Sequence, residues 1–270
     1  GFTPCDMAPN RQQTYIVAGR RWTPRNANHS RYGQMVPLKW GLAQSNNWIS
    51  AYLMSKLNPQ QFVQLLHDYG INNPDIHASM SLCLGPCEVS VSEMVSAYTA
   101  FANHGIRTSP LFVSRIEDNE GNTIATFQPR MSEVISADNA MKMLTMLMGV
   151  VDQGTAGRLR YRYNMEGQIG AKTGTTNNNS DGWFIGFTPQ LVTGCWVGGE
   201  DRDIHFDSMS MGQGATMALP IWAIFMKKVY ADPTLGFSPM EKFDIPADYN
   251  PCASQTEDEF GEEGIDEVFE

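Results

Sequence analysis

At 270 residues and 42% hydrophobic content, the chain has apolar material for one large domain or two small ones, which excludes the disordered and low-complexity classes. Its net charge of -10 overstates the acidity of the body, because residues 257–270 hold eight carboxylates and no Lys or Arg and leave the rest at about -2. No basic block or Lys/Arg stripe is present, which sets nucleic acid aside as a partner, and no apolar run approaches the roughly 20 residues of a bilayer span.

The first 35 residues are rich in Pro, Asn and Arg without a sustained period and read as a loop-heavy approach segment, with no charged and then apolar leader at Gly1. Pro37 opens a short predicted helix over 37–43; Ser45-Asn46-Asn47 interrupts it, and helical spacing resumes over 48–57. Asn58 caps the next helix with Pro59 at its first position and Gly70 past its end. Ser90 and Glu93 form a capping box for a helix to about Asn103, stopped by Gly105. Alternation over 112–118 and 123–127 around Asn119-Glu120-Gly121-Asn122 predicts a β-hairpin. Ser136 caps a helix to about Val151 that presents Ala140, Leu144, Leu147 and Val151 on one face; its methionines read as core filler.

From Gly167 the period changes. Residues 168–175, 183–188 and 192–197 are short β-rich runs separated by turns, a β-meander, and 215–230 is a long apolar helix suited to covering one face of that sheet. Helices segregated against an antiparallel sheet define an α+β domain over residues 1–243. Residues 244–270 turn proline-containing and then acidic, and are expected to be a disordered tail.

Five cysteines, an odd number with no CxxC pair, signal neither zinc nor a redox motif; a local Cys83–Cys87 disulfide across Leu84-Gly85-Pro86 stays open. The five histidines show no metal spacing and no triad. No metal and no cofactor is expected.

Two polar motifs carry chemistry. Lys172-Thr173-Gly174-Thr175 lies on a strand, and Ser45-Asn46-Asn47 lies in a break between helices where side chains can face a cleft. A strand-borne Lys172 supplies a fixed positive field for a substrate carboxylate, with Thr173 and Thr175 as its hydrogen-bond donors. The edge of that strand can align an extended peptide, Gly174 permits close approach, and the Thr175 N–H can serve a developing oxyanion. Ser45 is positioned to pass a proton and Asn47 to hold a substrate amide; the other reading of both is as helix-start residues, and for Ser45 taken alone that reading is the better one. The nucleophile that completes such a site, a Ser three residues before a Lys, does not occur: Val36, Leu53, Asn139, Ile169, Ile224, Phe225 and Pro239 hold those positions.

With those motifs, Trp22-Thr23-Pro24-Arg25-Asn26, Glu88-Val89-Ser90-Val91-Ser92-Glu93-Met94, Phe101-Ala102-Asn103-His104-Gly105, Gly154-Thr155-Ala156, Asp181-Gly182-Trp183-Phe184-Ile185-Gly186-Phe187-Thr188-Pro189 and Pro220-Ile221-Trp222 stand in an order that resembles the transpeptidase domain of class A, bifunctional penicillin-binding proteins. The resemblance covers about residues 1–230. It implies a β-lactamase-like fold and D,D-transpeptidase activity that cross-links peptidoglycan stem peptides ending in D-Ala-D-Ala, with β-lactams acylating the same site. It also implies a place on the periplasmic side of the inner membrane, anchored by an upstream segment beside a glycosyltransferase domain. Ser45, Asn47 and Lys172 carry over as catalytic residues, and Thr173, Gly174 and Thr175 as substrate-binding residues.

In that family the Ser-x-x-Lys helix stands just upstream of the region resembling Phe2-Thr3-Pro4. The chain is therefore expected to begin beyond its nucleophile, to lack the N-terminal strands and nucleophile helix, to be inert alone, and to expose faces that could pair with an upstream segment or with another copy. The alternatives are a naturally non-catalytic stem-peptide-binding or scaffold protein and, less well matched because Ser-Asn-Asn stands where Ser-Asp-Asn is usual, a serine β-lactamase.

Overall fold

The computed structural model describes residues 1–253. Its centre is a three-stranded antiparallel sheet of β9 (Gly170–Thr175), β10 (Asp181–Phe187) and β11 (Val192–Gly198), in the order β11-β10-β9. The expected meander is thus present, and the register sets Lys172 opposite Ile185 and Thr173 opposite Phe184.

Each face of the sheet is covered by helices. On one lies α8 (Gly214–Ala231), whose Ala218, Leu219, Trp222, Ala223 and Met226 pack with Phe184 and Ala171. Gly186 makes this possible, since a Cβ there would sit 2.5 Å from the Trp222 ring. On the other face lie α4 (Val91–Ala102) and α5 (Ala137–Gln153), where Leu144, Leu147 and Phe187 share a cluster with Tyr98 and Phe101. Each large apolar side chain fully buried here contributes about 1.5–3 kcal/mol, so this sandwich, not the short ribbons around it, holds the domain together.

The helix-start chemistry acts as predicted. Asn58 accepts from the Gln60 and Gln61 N–H groups at the head of α3 (Pro59–Asp68), and Ser90 and Glu93 close a capping box. Between α5 and β9 lies the short α6 (Arg158–Tyr161), and α7 (Met209–Gly212) precedes α8. No helix among the described residues is long and apolar enough to cross a membrane.

Two expectations are corrected and one open alternative is closed. The approach segment is not free of regular structure: β1 (Met7–Pro9) pairs with β4 (Met35–Pro37), and β2 (Tyr15–Val17) with β3 (Arg20–Trp22) through an Ala18-Gly19 turn, both residues at positive φ. An alanine in that conformation gives no turn signal. Farther on, β5 (Ile106–Thr108) pairs with β8 (Met131–Glu133), and the predicted hairpin is β6 (Arg115–Glu117) with β7 (Thr123–Thr126). Cys83 and Cys87 are free thiols, and Cys5 instead joins Cys252, a pairing 247 residues apart that only the folded chain brings together. Residues past Phe243 are packed rather than loose as far as that bond, with Ile245 against the Phe187 cluster and Tyr249 Oη donating to Asp138 Oδ1 at 3.0 Å. The acidic run of the expected tail lies outside the described residues.

Candidate active site

Ser45 stands between α1 (Leu38–Ala43) and α2 (Asn47–Met54) in a Schellman arrangement: its N–H donates to Leu42 O and the Asn46 N–H to Gly41 O. The residue that closes this motif must be left-handed, and Ser45 has φ 51° where glycine is usual. Helix capping falls to its neighbour. The Asn46 side chain accepts from the Trp48 and Ile49 N–H groups and is buried at 2% exposure, while its Nδ2 donates to Asn10 Oδ1 at 2.9 Å. Ser45 is thereby released from any capping duty and its hydroxyl stays exposed.

Lys172 meets it from β9. Its Nζ donates to Ser45 Oγ at 2.7 Å and to Thr173 O at 2.8 Å. The residue as a whole is half-buried, yet its ammonium is enclosed by protein, and that desolvation pulls its pKa down to about 8. Lys172 is therefore mainly a cation at neutral pH, within reach of giving up its proton.

Loss of a side chain makes the approach possible. A Cβ on Gly154 would lie 2.1 Å from Ala43 O, and in its place the Thr155 N–H donates to that carbonyl at 3.0 Å. Thr155 Oγ1 then bonds Thr173 Oγ1 at 2.7 Å, while Gln44 Nε2 holds Gln153 O at 2.9 Å. The end of α1, the end of α5 and β9 are so locked into one unit. The Gly154-Thr155-Ala156 motif was legible in the sequence, but its role as the clasp between the two motifs was not.

The hydroxyls of both strand threonines are engaged within the protein. Thr173 is buried against Thr155, and Thr175 Oγ1 accepts from the Gly214 N–H at 3.0 Å, which leaves Thr175 its own proton to donate. A Cβ on Gly214 would lie 2.3 Å from Gly174 O, so that approach also requires glycine. The backbone of β9 is open on its outer side. Because the Thr176 N–H donates to Asp181 O, antiparallel alternation turns the Thr173 and Thr175 N–H groups away from β10 and toward the free edge.

Asn47 completes the group. Its Nδ2 donates to Arg25 O at 2.8 Å and its N–H to Asn26 Oδ1 at 3.0 Å, leaving Oδ1 without a partner among the described residues. Asn10 and Asn26 support the site without touching it, a role their positions in the sequence do not announce. The contact of Lys172 with Ser45 thus joins the Ser45 turn to the open edge of β9 that carries Thr173, Gly174 and Thr175, and Asn47 stands two residues past Ser45 at the start of α2.

A family described as the penicillin binding protein transpeptidase domain matches residues 8–195, and the chain belongs to that family. Penicillin-binding protein 1A of Aquifex aeolicus is 33% identical over 228 residues, covering 84% of this chain and 30% of that protein. The crystal structure of penicillin-binding protein 1A from Haemophilus influenzae superposes with a TM-score of 0.80 at 25% identity, covering 92% of this chain and 41% of the other. The PonA1 protein of Mycobacterium tuberculosis, solved in complex with penicillin V, shares the fold with a TM-score of 0.73 at 23% identity, covering 95% of this chain and 71% of that one. The chain thus spans less than a third of the length of the curated relative it matches.

Proposed function

We propose that this chain forms the substrate-aligning part of a D,D-transpeptidase site that takes the D-Ala-D-Ala end of a peptidoglycan stem peptide into serine acyl transfer. The 2.7 Å contact of Lys172 Nζ with Ser45 Oγ carries the reading, because it makes one proton-handling pair of two motifs 127 residues apart. An extended stem peptide would add to the free edge of β9, with Gly174 allowing close approach and the Thr175 N–H facing the developing oxyanion. Asn47 Oδ1 would accept the substrate amide. The Lys172 charge, with the Thr175 hydroxyl and the Thr173 position beside it, would hold the terminal carboxylate.

In the acylation step the nucleophilic serine gives its hydroxyl proton to a base, its oxygen bonds to the penultimate D-Ala carbonyl carbon, the peptide C–N bond breaks, D-Ala departs after its nitrogen receives a proton relayed from Lys172 through Ser45, and the proton taken from the serine restores Lys172. An amine of a neighbouring strand then displaces the serine. No lysine among the 270 residues has a serine three places before it, so the nucleophile would come from outside them and the chain alone would be inert. β-Lactams would occupy the same groups. The Cys5–Cys252 disulfide supports an oxidising setting such as the periplasmic side of the inner membrane.

Fluorescent penicillin tests this. After denaturation the 270-residue chain should carry no covalent label, whereas a chain extended upstream through a Ser-x-x-Lys should be labelled, at a rate cut about a hundredfold or more by Lys172→Ala. Label on the 270-residue chain overturns its inertness; unchanged labelling of the Lys172 variant overturns the role of that residue. The lack of a Ser-x-x-Lys favours one second reading, a non-catalytic stem-peptide-binding or scaffold protein of cell-wall synthesis, which a contiguous upstream motif would end.

A further inference from the structure

Residues 111–124, which include β6 and most of β7, are exposed without exception. On and beside this ribbon Phe112, Val113, Ile116, Ile124 and Phe127 leave between 43% and 87% of their surface open to water. A ribbon of two strands is marginally stable in water until a third strand or a covering layer joins it, and β6 and β7 pair with no other strand among the described residues.

Of the two free edges, that of β6 is regular. Ile116 stands opposite Ala125 and Glu117 opposite Thr123, so the extra residue, Ile124, belongs to β7 and interrupts that strand's edge. The peptide directions along β6 are fixed at both ends: Ser114 O accepts from the Phe127 N–H at 2.9 Å, and the Asp118 N–H donates to Asn122 O at 2.9 Å. Alternation therefore turns the Ile116 peptide groups toward β7 and points the N–H and C=O of Arg115 and Glu117 outward from the free edge. The side chains of those two share one face, where Arg115 Nε and Glu117 Oε1 pair at 2.9 Å, and Ile116 takes the other face.

We infer that β6 is a self-association strand: a second copy of the chain adds its own β6 antiparallel to this edge, about a two-fold axis through Ile116. Charge selects that occupant. Arg115 and Glu117 flank Ile116 with opposite signs, so antiparallel addition about Ile116 sets each Arg115 across from the second copy's Glu117, whereas parallel addition in register would set like charge beside like. The same register satisfies the backbone. Arg115 and Glu117 become hydrogen-bonded pairs on both sides of the axis, and Ile116 meets its counterpart as a non-hydrogen-bonded pair, Cα atoms about 4.5 Å apart. Phe127, opposite Ser114 and so on the Ile116 face, extends the apolar stripe that the two copies share. The two ribbons make one sheet of four strands, which a lone ribbon lacks for stability. So short an edge buries less than the roughly 1,000 Å² of a stable interface, and the dimer is accordingly weak and concentration-dependent. This assignment does not depend on the acyl-transfer reading.

The test is sedimentation equilibrium of the full chain from about 10 μM to about 1 mM, at low ionic strength. Wild type should form dimers and nothing larger. Arg115→Glu leaves a strand with two acids and Glu117→Arg a strand with two bases, and each chain alone should dimerise about tenfold more weakly. An equimolar mixture of the two should associate at least as tightly as wild type, and Arg115→Glu/Glu117→Arg in one chain should recover the wild-type affinity. Both side chains are exposed, so circular dichroism and the unfolding temperature should not change. A wild type that stays monomeric throughout overturns the inference and leaves the ribbon to a strand of another protein. So does a dimer that both single variants form as tightly as wild type, because it would lie on another surface, and so does a mixture that fails to associate.

Discussion

Ser45 holds a left-handed backbone, φ 51°, and its hydroxyl accepts from the Lys172 ammonium at 2.7 Å. A serine in a position that favours glycine costs about 1 kcal/mol, and such strain persists where the surrounding structure fixes it for use. The side chain cannot be moved to a relaxed position without losing its partner.

Replacing Ser45 therefore separates strain from contact. Ser45→Ala and Ser45→Gly both remove the hydroxyl, but only glycine relieves the backbone. Ser45→Gly should be the more stable of the two by about 1 kcal/mol in urea unfolding, the reverse of the usual order in which alanine outranks glycine. Equal stabilities would argue that the turn is not left-handed in solution.

Lys172 gives the chain a pH signature. Its folded pKa of about 8 lies below the ordinary 10.5, so between those values the unfolded chain binds more protons and stability rises with pH. Below pH 8 both states are protonated and the folded state bears the full cost of the enclosed cation. Relative to Lys172→Met, wild type should gain on the order of 2 kcal/mol from pH 8 to 10.5. Parallel unfolding curves for the two chains across that window would contradict the enclosure of the ammonium.

Asn46→Asp tests why this motif reads Ser-Asn-Asn. An aspartate could still cap α2, but it would replace the Nδ2 donor with an acceptor facing Asn10 Oδ1 in a buried position. Asn10 cannot turn to compensate, because its own Nδ2 is committed to Ser30 O and Arg31 O. A loss of about 1–3 kcal/mol is expected, measured by thermal unfolding at neutral pH. It should shrink as the pH falls far enough to protonate the new carboxyl.

The disulfide predicts a thiol count. Without reductant the denatured chain should titrate three thiols (Cys83, Cys87 and Cys195), and after reduction five. The loop it closes is long, so Cys5→Ser/Cys252→Ser should cost about 2–5 kcal/mol and lower the unfolding temperature. Burial pushes the Cys83 thiol up to about 11, so in the folded chain it should react slowly with a disulfide reagent at neutral pH.

The sequence by itself determined the helix starts at Asn58, Ser90 and Ser136, the β-meander and the long apolar helix behind it. These rest on local chemistry and on periods of two or 3.6 residues, which a reader of the chain can see. It also offered six candidate site residues, because a lysine on a strand and a serine between helices are recognisable by type and order. Tertiary structure decided the rest. That Asn46 caps and so frees Ser45 depends on Asn10, 36 residues away; that Thr155 clasps Thr173 depends on Gly154 letting Ala43 approach; and that Cys5 chooses Cys252 depends on the two ends meeting. The reason is physical: capping and periodicity are satisfied within a few residues, whereas the pairing of a particular hydroxyl, thiol or ammonium is fixed by which partners packing leaves within three ångströms.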